Sequence, residues 1–351
     1  MRPHHILFPV LFICTIIAIG STSPSHSPVA ARIGPYNALA VPSAITPYDV
    51  AVVWSNTTGS QVVDLVVANL DGDAYDEVAA VTQNGSLFVF DQNGLRLGHV
   101  ALGATPYSII ALDADGVTPL ELGISTSSGF LVFDSGLNVV TNVTLPDATR
   151  TIAAATLDSD PPQEVVLGCD DGHLYAYGTN GTYLWNYTSN GPVRLIQVGD
   201  VDLDSHDEIA LASSLRLLSL VDDAGTEIFN QSSIHSLQSL ALADLTGDAA
   251  LEVVTGDAGG QIRVMLSNGT IAHSLTESDS VTSLDVSELV SGGGLRVIAG
   301  LADGQLRVYN STLSLLWNVT VDGGVDTVMA ADVGGLVDQQ VLAATGDTVF
   351  I

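Results

Sequence analysis

The sequence predicts an all-β fold, a seven-bladed β-propeller of four-stranded blades. The first observation is a repeat of 43 or 44 residues, marked by one anchor residue per unit: Glu77, Glu121, Glu164, Glu208, Glu252, Arg296 and Gln340. The second is that each unit contains short runs of Val, Ile, Leu, Ala, Phe and Tyr, separated by Asn-Gly or Asp-Gly turns and without an amphipathic helical stretch. Units of this length made of short strands are typical of β-propellers.

The first unit shows how each blade divides into strands a, b, c and d. The apolar runs predict strands at 61–68, 77–82, 86–91 and 96–102. Asn84-Gly85 and Asn93-Gly94 are the tight turns between them, because Asn and Gly tolerate the positive φ that such turns need. The same turn residues recur in later units.

The tryptophans indicate how the ring closes. Trp54, Trp185 and Trp317 each lie 23 residues before an anchor position, so Trp54 belongs to a strand d that no strands a to c precede. The last unit, 324–351, has the complementary defect, because it stops in strand c. The sequence therefore predicts that residues 49–54 supply the outer strand of the last blade, which closes the circle and removes two open sheet edges.

The termini and the cysteines indicate the compartment. Residues 1–31 have the pattern of a secretory signal, with Arg2 before the apolar run 6–19 and small residues at 29–31; an uncleaved anchor is the alternative. Residues 32–48 form a linker and 49–351 the propeller. Cys169 is the only cysteine outside the signal, and its place after an apolar strand predicts a buried, inert thiol.

N-x-S/T triplets, the acceptor motif for N-glycosylation, are far more frequent than chance would give. Four of the nine share one repeat position in or just after the outermost strand of a blade, where a glycan meets no neighbour. The alternative is that Asn and Thr only suit turns and exposed edges. The predicted sites are Asn56, Asn84, Asn142, Asn180, Asn186, Asn230, Asn268, Asn310 and Asn318.

The charge excludes some partners. The formal net charge is −30, with 39 acidic residues against 9 basic ones, all of them arginines. A chain of this charge lacks a basic patch that could neutralise nucleic-acid phosphates, and membrane contact is expected only through an N-terminal anchor. Together with the signal and the triplets, this composition predicts a secreted or cell-surface protein of a prokaryote, with an archaeon as one candidate source.

The acidic residues are concentrated between strands a and b. Counting each anchor as position 9 of a loop, short oxygen-bearing side chains alternate at positions 1, 3 and 5, which is the arrangement that a hard cation such as Ca²⁺ requires. The alternative is that these residues only form Asx turns. The candidate ligands are Asn69, Asp71, Asp73 and Glu77 in unit one, Asp113, Asp115 and Glu121 in unit two, Asp158, Asp160 and Glu164 in unit three, Asp200, Asp202, Asp204 and Glu208 in unit four, and Asp244, Asp248 and Glu252 in unit five. Units six and seven have lost the set.

These segments carry a resemblance. LDGDAYDEVAAV (70–81) and VDLDSHDEIAL (201–211) resemble the FG-GAP/VCBS-type repeats of the integrin α-subunit propeller and its prokaryotic relatives, whose hairpin loops bind Ca²⁺. DDGHLYAYGTNGTYLWNYTSNGPV (170–193) is similar to the quinoprotein-type repeat of pyrroloquinoline quinone dehydrogenases and assembly-factor propellers, although this likeness concerns the blade framework. The FG-GAP resemblance implies that the calcium loops occupy one face and that partners bind at the other.

On that second face, formed by the b–c and d–a loops, we predict a ligand site from Asp170, Asp171, His173, Tyr187 and His235. Solvated turns are the alternative for each of them. We favour a non-enzymatic adhesion or binding module for an extracellular protein or carbohydrate, because no catalytic motif stands out. The other classes are an enzyme, such as a quinone-dependent dehydrogenase or a polysaccharide lyase, and an envelope assembly scaffold.

Overall fold

The computed structural model describes residues 52–331, 339–346 and 348–350, together with two short strands at 4–6 and 15–19. Its architecture is an all-β, seven-bladed β-propeller, as the sequence predicts. The described residues contain no helix, and therefore none with the length and apolarity to cross a membrane. The predicted signal and linker lie outside the described residues, apart from strands β1 (His4–Ile6) and β2 (Thr15–Ile19).

The first three blades are antiparallel sheets in which consecutive strands pair. Blade 1 contains β4 (Val62–Ala68), β5 (Glu77–Thr82), β6 (Ser86–Phe90) and β7 (Arg96–Ala101), each within one residue of its predicted bounds. Blade 2 contains β8 (Pro106–Leu112), β9 (Glu121–Thr126), β10 (Gly129–Phe133) and β11 (Val139–Thr144). Blade 3 contains β12 (Thr149–Ala155), β13 (Glu164–Cys169), β14 (His173–Gly178) and β15 (Tyr183–Thr188).

The remaining blades repeat this order. Blade 4 contains β16 (Val193–Gly199), β17 (Glu208–Ser213), β18 (Leu217–Val221) and β19 (Glu227–Ser232). Blade 5 contains β20 (Leu237–Ala243), β21 (Glu252–Asp257), β22 (Gln261–Met265) and β23 (Ile271–Thr276). Blade 6 contains β24 (Val281–Ser287), β25 (Arg296–Leu301), β26 (Gln305–Tyr309) and β27 (Leu315–Thr320). Blade 7 contains β28 (Thr327–Ala331), β29 (Gln340–Thr345) and β30 (Thr348–Phe350).

The hydrophobic core lies between the blades. In strands b and c most side chains are buried on both faces, whereas strand d alternates between exposed and half-buried residues. Each large cluster draws its side chains from two neighbouring blades; for example, Val66 and Leu87 of blade 1 pack with Ile124 and Phe133 of blade 2. The first strands of successive blades contact one another around the axis. Because these sheets are apolar on both faces and no helix of the described residues covers them, each blade excludes water by packing on its neighbours around the ring.

The strand expected to close the ring, β3 (Val52–Thr57), is present, but its partner differs from the predicted one. Its backbone pairs with β2, and the described part of blade 7 is a three-stranded sheet. Trp54 nevertheless packs on blade 1 as a strand d packs on the next blade. Its Nε1 donates to the carbonyl of Gln92 at 3.2 Å, and Trp185 donates in the same way to Asp223 at 2.8 Å. β3 therefore lies beside blade 1 where an outer strand of blade 7 would lie.

Candidate metal loops and binding face

The anchor glutamates have a structural role that accounts for their spacing. Each one begins strand b with its carboxylate buried, and its Oε2 accepts a hydrogen bond from the backbone NH of the second residue of the preceding loop. The donors are Leu70 at 2.8 Å, Ala114 at 2.8 Å, Leu157 at 2.9 Å, Val201 at 2.7 Å and Leu245 at 2.7 Å. One oxygen of each glutamate thus closes the a–b loop, and the other is left for a second partner.

The loop of blade 1 has the features of a metal site. Carboxylate oxygens of Asp71, Asp73 and Glu77 lie within 4.8 Å of one another. Glu77 is only 1% exposed, and its Oε1 has no hydrogen-bond partner among the described residues. Burial raises the pKa of Glu77 against the hydrogen bond from Leu70, and the negative charges of Asp71 and Asp73 raise it further. A bound cation would give the unpartnered oxygen a partner and would offset the repulsion among the three carboxylates. These residues therefore fit Ca²⁺.

The loops of blades 2 and 4 contain comparable clusters. Asp113, Asp115 and Glu121 form one, and Asp200, Asp202 and Glu208 form the other, with ligand oxygens again within 4.8 Å. Burial, followed by the charges of Asp202 and Asp204, raises the pKa of Glu208 to about 7 against the hydrogen bond from Val201. A cation in the loop would favour the charged form of this carboxylate.

The loops of blades 3 and 5 are less complete. In the described part of the chain, clusters of three carboxylates within this distance occur only in blades 1, 2 and 4. The ligands predicted for the other two loops are therefore not brought together in the same way: Asp158, Asp160 and Glu164 in blade 3, and Asp244, Asp248 and Glu252 in blade 5. In blade 5, Thr246 stands at loop position 3, and its hydroxyl donates to Oε1 of Glu252 at 3.2 Å. The second oxygen of that glutamate therefore has a protein partner.

Blade 6 no longer has an acidic loop. Arg296 replaces the anchor glutamate, and its guanidinium donates to the carbonyl oxygens of Leu295 and Gly293 within its own loop. The loop is thus closed by the side chain of the opposite charge. Residues 332–338 of blade 7 lie outside the described residues.

The Asx turns that were the alternative also form. Asn69 Oδ1 accepts from the NH of Gly72 at 2.7 Å, and Asp73 Oδ1 accepts from Tyr75 at 2.6 Å. In blade 4, Asp204 Oδ1 accepts from His206 at 2.8 Å, and Asp204 is not a member of the carboxylate cluster. Because a carboxylate has two oxygens, an Asx turn and a metal contact are compatible at the same aspartate.

A cavity of about 330 Å³ opens beside the blade 1 loop, between blades 1 and 2. Asp71, Glu77 and Asp134 line it together with Leu97 and Leu122. The cavity places the carboxylates of this loop next to open space, so an ion can reach Glu77 even though the residue is buried.

The residues predicted for the ligand face are occupied mainly by internal contacts. Asp171 accepts from the Tyr175 hydroxyl at 2.8 Å and from the His173 NH at 2.9 Å, and against the effect of burial these bonds lower its pKa. The hydroxyl of Tyr187 contacts Ser219 and Glu227 of the next blade. Asp171 and Tyr187 therefore support the loops and the blade interface. His235 is exposed.

Asp170, which was also predicted for the ligand face, forms ion pairs with two arginines. Arg150 donates to its Oδ2 from Nε at 2.7 Å and from Nη2 at 2.6 Å, and Arg194 Nη1 lies 2.6 Å from Oδ1. The Arg150 guanidinium also lies 4.1 Å from the ring centroid of Tyr107. The sequence analysis missed both arginines, although a signal was present: Arg150 and Arg194 are the second residues of consecutive first strands, 44 positions apart.

The predicted glycosylation residues are placed as follows. Asn142, Asn186, Asn230 and Asn318 lie in strand d of four blades and are exposed, as are Asn84, Asn180 and Asn268. Asn56 and Asn310 are half-buried, and the amide nitrogen of Asn56 donates to the carbonyl of Gly94 at 2.6 Å. Cys169 is fully buried, and burial raises the pKa of its thiol to about 11, which agrees with the predicted inert thiol.

Solved structures confirm the fold. The chain is similar to BBS1N, solved in complex with ARL6DN, at 18% identity and a TM-score of 0.64 over 80% of this chain and 88% of that one. It is similar to Sqt1 of Saccharomyces cerevisiae at 15% identity and a TM-score of 0.71, with 85% of both chains covered. It is also similar to BamB of Moraxella catarrhalis at 18% identity and a TM-score of 0.59, over 85% and 84%. No protein-family model and no curated protein matches this chain.

Proposed function

We propose that this protein is a non-enzymatic binding module: a secreted or cell-surface, calcium-stabilised and glycosylated β-propeller that holds a partner protein on the face formed by its b–c and d–a loops. The observation that carries the proposal is that the two faces of the propeller differ in their residues. The a–b loops of five blades are tied by buried glutamates and carry the acidic clusters, whereas the opposite face carries the exposed Arg194 at the start of β16 and the exposed Leu215, Arg216 and Ile234 in the loops of blade 4. Such a face is typical of an interaction surface.

Two further observations support the proposal. The unpartnered Oε1 of Glu77 and the carboxylate clusters of blades 1, 2 and 4 support Ca²⁺ binding, in keeping with the FG-GAP-type resemblance. Asp71, Asp73 and Glu77 would hold one ion, and the bound ion would neutralise the carboxylates and fix the loop. BBS1N, which has a similar fold, was solved with a protein partner, and we extend protein binding to this chain. A carbohydrate ligand is the alternative to a protein.

The test is affinity capture from the parent cell envelope, with the purified propeller immobilised in Ca²⁺ or in chelator. We expect one envelope protein to be retained and then to bind the purified propeller stoichiometrically in calorimetry. Retention of polysaccharide alone would favour the carbohydrate alternative, and turnover of a co-retained small molecule would favour an enzyme. If nothing binds stoichiometrically, the proposed function is wrong.

A further inference from the structure

The b–c and d–a loops of blades 3 and 4 form one continuous surface. A Cβ added to Gly172 would lie 3.4 Å from the carbonyl oxygen of Ser189, and one added to Gly191 would meet the side chain of Leu215 at 2.7 Å. The NH of Ser233 donates to the carbonyl of Arg216 at 2.7 Å. These contacts join the two loops of blade 3 to the two loops of blade 4.

This surface concentrates positive charge in an acidic protein. Three of the nine arginines lie in it or beside it: Arg216 is in the b–c loop of blade 4, and Arg150 and Arg194, at the starts of β12 and β16, contact Asp170 of the b–c loop of blade 3. We call this group of three the arginine rim. Asp170 holds two of them and leaves a net positive charge on that trio. Among the described residues, Arg194 contacts Asp170 through Nη1, and its other NH groups have no partner. The rim therefore has guanidinium donors free to bind an anion.

Arg216 occupies a backbone position that glycine fills in other blades. Its φ is 66°, and the corresponding residues of five blades are glycines at positive φ: Gly85, Gly129, Gly172, Gly260 and Gly304. A residue with a Cβ is strained at such a position, and strained residues are concentrated at sites with a function. The Arg216 side chain is exposed, and its Nη1 donates to the carbonyl of Ile234 at 2.6 Å. Folding alone would favour glycine here.

Apolar side chains flank this arginine. Ile234 and Leu215 are 74% and 67% exposed, the largest values for bulky hydrophobic residues in the described part of the chain. Both lie in the loops that Arg216 joins. Isolated exposed apolar residues need no explanation, but a pair beside free guanidinium groups indicates a contact surface with mixed chemistry.

We propose that the arginine rim binds an acidic segment of a partner protein, in which carboxylates bind Arg194 and Arg216 and an aliphatic side chain packs on Leu215 and Ile234. Guanidinium groups bind carboxylates by paired, charge-assisted hydrogen bonds. A peptide fits better than an acidic sugar, because the exposed apolar side chains beside Arg216, those of Leu215 and Ile234, are aliphatic, and the ring of Tyr107 is covered by Arg150. This inference rests on the proposed function and names the chemistry of its partner.

The test uses fluorescence polarisation with the whole propeller in Ca²⁺. The probes are a labelled decapeptide of alternating Glu and Leu, its counterpart with Gln in place of Glu, and a labelled oligogalacturonate. The variant is Arg194→Gln with Arg216→Gly, in which Arg150 still holds Asp170 and the second change restores the residue found in other blades. Arg96→Gln is the matched control, because it removes an exposed arginine from the outer strand of blade 1.

We expect the Glu peptide to bind the wild type and Arg96→Gln equally, and the double variant at least tenfold more weakly, although the melting temperature of the double variant is not lowered. The Gln peptide is expected to bind at least tenfold more weakly than the Glu peptide. Equal binding of the Glu peptide to the double variant, absence of its binding to the wild type, or tighter binding of the oligogalacturonate would overturn the proposal.

The captured envelope protein separates this inference from the proposed function. If that protein binds the wild type and the double variant equally, protein binding stands and the assignment to the arginine rim is wrong. If no envelope protein is captured although the Glu peptide binds at the rim, the proposed function fails and carboxylate binding at the rim stands.

Discussion

The backbone NH of Val201 donates a hydrogen bond of 2.7 Å to Oε2 of Glu208, seven residues later. The same bond closes the a–b loop in four other blades, so in each of these five blades one carboxylate oxygen stabilises the fold. The other oxygen differs between blades. It has no described partner in Glu77, and it accepts a hydroxyl in Glu252.

The carboxylate clusters of blades 1 and 4, and the absence of such a cluster at Glu252 among the described residues, predict which glutamates carry the calcium dependence of stability. Gln in place of Glu keeps an oxygen that can accept the loop NH but removes the ligand charge. Ca²⁺ at a hundredfold excess over Kd should stabilise the wild type by about 2.7 kcal/mol per site. The double variant Glu77→Gln with Glu208→Gln should lose the part of this calcium stabilisation that comes from two sites. Thermal unfolding scans with and without chelator measure the loss. The matched control, Glu252→Gln, should keep the full calcium response; an equal response in all three proteins would contradict the assignment.

The loop of blade 4 stores backbone strain that glycine would remove. Leu203 has a φ of 69° and is 52% exposed, whereas Gly72, Gly116 and Gly247 occupy this position in other loops. The left-handed conformation costs about 1–2 kcal/mol for a residue with a Cβ, and glycine loses about 0.5–1 kcal/mol of that gain through chain entropy. Leu203→Gly should therefore raise the unfolding free energy by about 0.5–1 kcal/mol in urea titrations.

The control for this change is Leu203→Ala, which removes the same side chain but keeps a Cβ at positive φ. It should not stabilise the protein. Equal effects of Ala and Gly would show that the side chain and not the backbone is responsible.

Asp64 predicts a pH dependence that is independent of the metal loops. Burial raises its pKa to about 7, against hydrogen bonds from the Ile109 NH, the Ser108 hydroxyl and the Leu65 NH. Between the ordinary value of 3.8 and about 7, the folded protein binds one more proton than the unfolded chain. The stabilising contribution is therefore complete below pH 3.8 and is lost as the pH rises to 7, by up to about 1.4 kcal/mol per unit.

Asp64→Asn should remove this dependence. The asparagine cannot ionise and can still accept the NH of Ile109, so the variant should be more stable than the wild type at pH 8.5 by a larger margin than at pH 5. Chemical unfolding at both values, at a fixed Ca²⁺ concentration, measures the difference. A margin that does not change with pH would show that Asp64 stays ionised in the fold.

The exposed outer strands predict which glycan sites are used. Asn142, Asn186, Asn230 and Asn318 should carry glycans in protein from the native source, because their side chains point to solvent from strand d. Asn56 should be bare, because it is half-buried and its amide nitrogen donates to the backbone carbonyl of Gly94, whereas the amide nitrogens of Asn230 and Asn318 contact only side chains, those of Glu227 and Gln305. Peptide mass mapping decides both points. Four unmodified outer-strand sites would mean that the triplets reflect turn and edge chemistry only.

The sequence by itself determined the architecture. A repeat of 43 or 44 residues with short apolar runs is enough to predict seven blades, because each blade must bury both faces against its neighbours. The predicted strands of blade 1 agree with the observed ones to within one residue, because the apolar runs and the Asn-Gly turns that separate them are local signals. The glutamates at the anchor positions and the loop aspartates were also visible in the sequence, since alternating oxygen side chains are a local pattern.

The tertiary structure decided which residues that are far apart in the sequence contact one another. Loop composition could not show that Thr246 uses the second oxygen of Glu252, or that the backbone of β3 pairs with β2. It also could not show that Arg150 and Arg194 meet at Asp170, because those residues come from three loops and strands of two blades. Residues that are 20 or more positions apart become neighbours only when the blades stack around the axis. The local sequence pattern therefore predicts the blades and the loops. The packing of one blade on the next determines which charged side chains contact one another.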